Sequence, residues 1–128
     1  MPTEAEHVQK YAHNRAILDS PPPLSQASAP WAATVAFYAA VHLIEQLAAK
    51  DGMHHTRHTG QASRANYLAN HPIHWAVAAD FQALFSASMV ARYETAQAFD
   101  QTYPGDVVQR QLIDGCLVMI ESHVAAHV

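Results

Sequence analysis

The hydrophobic positions along this chain repeat at helical rather than strand spacing from one end to the other. Val8, Tyr11, Arg15 and Leu18 fall on one face of a helix over residues 3 to 18. Thr3 followed three residues later by Glu6 is a capping-box pattern at its start. SPPPLSQASAP, residues 20–30, then breaks the periodicity, because three consecutive prolines cannot continue a helix. A second helix is predicted from the region of Ser28 to Pro30 as far as Gly52, with Ser28 as its cap and Gly52 in the left-handed position after its end. Its central run, VAFYAAV, is apolar around the whole cylinder, which predicts a helix buried on all sides.

GMHHTRHTGQAS, residues 52–63, reads as a loop, and a short helix is expected from about 63 to 70. Pro72 opens a third long helix to about 98, with Val77, Phe81, Leu84, Ser88 and Ala91 on one face and Phe85, Met89 and Arg92 on the next. Residues 99–105 are predicted to turn. Asp106 is expected to cap a last helix, whose stripes are Val108, Leu112, Met119 and Ile113, Leu117, Ile120, Val124. No strand pattern or internal repeat is present. The expectation is an all-α fold, an up-and-down four-helix bundle with one additional short helix, in a single domain over residues 1–128.

Composition narrows the functional classes. The charge of −4 with seven Lys and Arg leaves no basic stripe for duplex nucleic acid. Cys116 has no internal disulfide partner, and the polar MPTEAEHVQK start carries no leader pattern, so a cytoplasmic protein is expected. The apolar run from Trp31 to Ile44 is short of the roughly 20 residues of a membrane span. No membrane association is expected.

Ten histidines are the compositional anomaly. Tyr38, His42 and Glu45 stand at i, i+4 and i+7 on the apolar helix, as a pocket wall or as a core hydrogen-bond network. His54 and His58 have a spacing suited to zinc or another divalent ion if the backbone there is helical; a solvated polar loop is the bland reading. Arg64 and His71, six residues apart by intervening count, carry a guanidinium and an imidazole, the minimum equipment for metal-independent RNA cleavage. Arg92 and Tyr93 lie at the edge of an apolar stripe, where an arginine covers core, pairs with Glu45 or binds an anion. His123 and His127, at i and i+4, read as solvated residues of a last turn.

Taken in order, FYAAVHLIEQLAAKDGMHHTRH (residues 37–58) and LFSASMVARYE (residues 84–94) resemble the HEPN family, the higher-eukaryote and prokaryote nucleotide-binding domain. The matching residues are Tyr38, Ala39, His42, Gly52, His58, Arg92 and Tyr93, over about half the chain. The resemblance implies a bacterial or archaeal helical bundle that forms a homodimer. It implies a place in toxin–antitoxin, phage-defence or RNA-processing systems, beside a nucleotidyltransferase or antitoxin partner. Ribonuclease members use an Arg-x4-6-His motif after the third long helix. Here Arg92 is followed by no histidine until His123, while Arg64 and His71 hold the spacing earlier in the chain. The expectation is therefore a noncatalytic module without a cofactor, binding a nucleotide, single-stranded RNA or a protein partner through Tyr38, His42, Glu45, His58, Arg92 and Tyr93. The alternatives are a ribonuclease using Arg64 and His71 and a metal-binding bundle using His54 and His58.

Overall fold

A computed structural model describes residues 3–19, 29–53 and 60–128. Among these residues every regular element is a helix and there is no strand. The elements are α1 (Glu4–Asp19), α2 (Ala29–Lys50), α3 (Gly60–Asn70), a 3-10 turn (His74–Val77), α4 (Ala78–Tyr93) and α5 (Ala96–Thr102). A π-helix (Val108–Leu117) then runs without a break into α6 (Val118–His127).

The chain starts and stops these helices with the chemistry read from the sequence. At α1 the Thr3 hydroxyl accepts from the Glu6 N–H at 3.2 Å, and the Glu6 carboxylate accepts in return from the Thr3 N–H at 3.4 Å. At the end of α2 the Met53 N–H reaches back to Ala48 O at 2.8 Å and the Gly52 N–H to Ala49 O at 3.0 Å. Gly52 supplies the φ of +74° that this double closure needs. Ser28, expected as the α2 cap, lies outside the described residues.

α2 is the hub. It packs on α1, α4, the π-helix and α6, and Ala32, Ala33, Ala36, Ala39, Ala40 and Ala48 are buried in those interfaces. Small side chains let four neighbours approach one cylinder. The helix is long and apolar enough to cross a membrane, but most of its apolar length is covered within the fold. Its apolar surface is therefore accounted for by packing. Trp31 and Tyr38 are the exceptions to burial on all sides, at 62% and 41% exposed.

Cross-helix pairs define the directions. His7 on α1 meets His42 on α2, and cleft contacts place Ile17 with Trp31, so α1 and α2 run antiparallel. Phe37 packs on Phe81 and Phe85 while Asp51 reaches His71, which turns α4 back along α2. His74 meets His123, and Asp80 meets Cys116, so the last helix returns antiparallel to α4. The four long helices form an all-α bundle with α3 laid across one end.

Several expected details differ. The third long helix does not run from 72 to 98. It opens as a 3-10 turn after Pro72, and Glu94 leaves it in an extended conformation, ψ 171°. Thr95 then starts α5 by accepting the Ala98 N–H at 3.0 Å, so most of the expected 99–105 turn is helix. Removing that cap as Thr95→Ala is expected to cost about 1 kcal/mol, read as a lowered urea midpoint at unchanged slope. Gly60 to Ser63, expected in the loop, already belong to α3. Asp106 makes no capping bond and pairs with Arg110 instead at 3.5 Å.

Two predicted stripes are also rephased. On α1, His7 rather than Val8 is buried, because His7 has a partner on α2. On the last helix, Met119 is exposed. There the i→i−5 bonding, as from Val118 N–H to Ile113 O, brings Val108, Ile113 and Leu117 onto the core side.

Candidate functional site

Tyr38 and His42 on the polar face of α2 line one cleft, while Glu45 is turned away from it into the core. Tyr38, His42 and Glu45 each engage a different helix. Glu45, 4% exposed, receives the Arg64 Nε–H of α3 at 2.6 Å. His42 Nδ1 lies 3.0 Å from His7 Nδ1 of α1, so the two rings share a single proton between facing nitrogens. Burial, reinforced by His7, Lys10 and Arg64, drives His42 down to about 4, and burial also lowers His7. At neutral pH this is a pair of neutral rings of opposite tautomer.

Tyr38 faces α4. Its hydroxyl accepts from Arg92 at 3.3 Å, and Arg92 also donates to Ser88 O at 3.2 Å. The guanidinium sits 5.3–6.0 Å from the ring centres of Phe37, Tyr38 and Tyr93. Arg92 does not meet Glu45, which α3 has taken. The Tyr38–Arg92–Tyr93 group thus forms an exposed cationic and aromatic corner, distinct from the Glu45–Arg64 pair.

Between α1 and α2 a cleft of about 420 Å³ is lined by His13, Asn14, Ile17, Trp31, Thr34, Tyr38 and His42, with Val35 at its floor. A second hollow of about 290 Å³ continues it past His13, Asn14 and His42 to Gln9 and Lys10. The α2 residues 31, 34, 38 and 42 line it because spacings of three and four keep them on one face. The result is a groove with two exposed aromatic rings at one end and a lysine at the other.

The expected Arg64 and His71 lie on one face of α3 and its last turn, with Tyr67 between them. All three turn towards α2. Tyr67 donates to Asp51 Oδ2 at 2.7 Å, and the His71 Nε2 lies 3.3 Å from the same oxygen. His71 Nδ1 accepts the N–H groups of Ile73 and His74, at 3.0 and 3.2 Å, which caps the 3-10 turn. A nitrogen accepting N–H bonds carries no proton, so the His71 proton is on Nε2 and points at Asp51. Arg64 and His71 are separated by roughly 10 Å of helical rise, and each is committed to its own carboxylate.

Below this ladder lies a histidine group that sequence spacing did not join. His74 stacks on His71 with ring centres 3.9 Å apart. His74 Nδ1 lies 2.8 Å from His123 Nε2, and His127 is one turn further along α6. Burial, with His71, His123 and His127 adding to it, drives His74 down to about 4; burial lowers His123 as well. Opposite, Tyr11 donates to Glu121, which also pairs with Arg15 at 3.2 Å, tying α1 to α6. Burial and Asp80 push the Cys116 thiol up, consistent with an inert core cysteine.

His54 and His58 lie outside the described residues. The residues that spacing missed are His7, His13, Trp31, His74 and His123, whose relations are all between helices. No protein-family model matches the chain, and no curated protein or solved structure matches it.

Proposed function

We propose that this chain is a noncatalytic, HEPN-like binding module that takes a nucleotide or a short single-stranded RNA segment in the α1–α2 groove. The observation that carries the reading is that the exposed Trp31 and Tyr38 rings line one cleft of about 420 Å³, mainly apolar with polar groups at its edge. That volume suits a small ligand, and flat exposed rings stack on any base. His13, Asn14 and Thr34 offer donors and acceptors for base edges, and Lys10 stands where a phosphate would leave the groove. Neutral His42 accepts or donates without adding charge.

The commitment of Arg64 to Glu45 of α2 and of His71 to Asp51 just past its end favours binding over cleavage. The HEPN resemblance supplies the setting of this proposal. It is a cytoplasmic homodimer in a toxin–antitoxin or defence-type system, with an antitoxin or nucleotidyltransferase as partner.

The test is tryptophan fluorescence in a Trp75→Phe background, which leaves Trp31 as the reporter, during titration with AMP, ATP and a uridine decamer at several salt concentrations. Saturable quenching that weakens with salt is expected. Trp31→Ala, followed by ligand anisotropy, and Tyr38→Ala should each weaken binding about tenfold, as loss of one stacking contact requires. Unchanged affinity in both variants, or no saturation by millimolar nucleotide, would sink the reading.

A further inference from the structure

We infer that His74, His123 and His127 form a three-histidine site for a first-row divalent transition ion, Zn²⁺ being the natural probe. The site is separate from the α1–α2 groove and does not depend on what that groove binds.

The argument starts on α6. Two histidines at i and i+4 on a helix present both rings on one side, the arrangement that lets a helix chelate zinc. In the bundle that side meets the 3-10 turn before α4, which delivers His74 as a third ring. A zinc–nitrogen bond of about 2.0–2.1 Å puts the ion roughly 3.2 Å from each ring centre, so tetrahedral ligands have ring centres about 5 Å apart. The three ring-centre separations here are 5.0 Å (His74–His123), 5.6 Å (His74–His127) and 4.4 Å (His123–His127). His74 Nδ1 and His123 Nε2 already face each other at 2.8 Å. Opening that gap to about 3.3 Å replaces a shared proton by the ion.

Among the described residues the donor atoms that already converge within 4.8 Å are those of Asp51, His71 and His74 rather than of this trio, so His127 has to turn its ring towards the His74–His123 gap as the ion binds. His71 is not a ligand in this arrangement, because its Nδ1 accepts two backbone N–H groups and its Nε2–H faces Asp51. It stacks on His74 and fixes that ring, and Asp51 behind it supplies negative charge near the ion. Imidazole-only donors select zinc, nickel or copper over magnesium and calcium. Three protein ligands leave a fourth position for water or an anion. The bound ion would clip the last turns of α6 to the start of α4.

Untagged protein, stripped with chelator, is titrated with zinc against a chromophoric competitor at pH 7.5. One zinc per chain is expected. His123→Ala and His127→Ala should each weaken uptake at least about tenfold, while circular dichroism shows the fold intact. His74→Gln should do the same, but it alters a buried residue, so the two α6 variants decide. A triple His54→Ala, His55→Ala, His58→Ala variant should bind as the wild type does. Absence of saturable one-to-one uptake overturns the site, as does uptake that survives loss of both α6 histidines or vanishes in the triple variant.

Discussion

Arg64→Ala is expected to lower the melting temperature by on the order of 10 °C, through loss of about 3 kcal/mol. Glu45 is 4% exposed and takes the Arg64 Nε–H at 2.6 Å, with the guanidinium side chain itself mostly covered. A buried carboxylate that loses its guanidinium keeps its desolvation cost and gives up that charge, and breaking such a pair costs about 3–5 kcal/mol. The lower figure applies because Arg64 is at the edge of the core and Glu45 keeps a further interaction. Replacing both residues, as Glu45→Leu with Arg64→Leu, should restore most of the loss, since neither charge is then stranded. Scanning calorimetry of the wild type, the single variant and the double variant measures this. A ribonuclease that used Arg64 at its phosphate would behave otherwise. Arg64→Ala would leave stability within about 0.5 kcal/mol and abolish RNA cleavage. A single variant thus separates the architectural reading of this arginine from the catalytic one.

What was legible in the sequence was whatever rests on local chemistry. The Thr3–Glu6 box needs only three residues, and Gly52 needs only the φ that other residues avoid. The apolar run of α2 required burial before any partner was known. The boundary at Glu94 was less visible, because the apolar stripe passes through it. Its local sign was Thr95, a hydroxyl that withdraws from helix interiors to caps. The π-helix left no such sign, since its longer spacing still reads as an amphipathic helix with one misplaced Met119.

The candidate sites were less legible because they are made by register between helices. Helical spacing put Tyr38, His42 and Glu45 on one face, but it could not say that three different helices would divide them. His7 and His42 are 35 residues apart, and His74 and His123 are 49 apart. Only the antiparallel packing of whole helices brings such rings to within a hydrogen bond. The same packing turns Arg64 and His71, which spacing alone offered as a pair, towards two separate carboxylates.

These buried imidazoles give the second large effect: stability should fall steeply as the pH drops from 7 towards 4. His42 and His74 are each driven from 6.5 to about 4, chiefly by burial and then by neighbouring histidines, with Lys10 and Arg64 adding at His42. Above pH 6.5 both are neutral whether the chain is folded or not, so they contribute no pH dependence. Between 6.5 and 4 the unfolded chain takes up protons that the folded rings refuse, and the equilibrium shifts towards unfolding. Below about 4 the folded rings protonate too and the loss levels off. Each ring costs about 2 kcal/mol at pH 5, so the two together remove on the order of 3–4 kcal/mol there. That is a large part of the 5–15 kcal/mol that holds a domain together. Urea unfolding at pH 7.5, 6.5, 5.5 and 5.0, with chelator present to exclude metal, reads the loss directly. His42→Gln and His74→Gln should each flatten the profile, and part of the slope should remain with His7 and His123, which burial lowers as well. A wild-type stability that stays level from pH 7 to 5 would show that the rings accept protons within the folded bundle, and the packing described around them would have to be looser than it is.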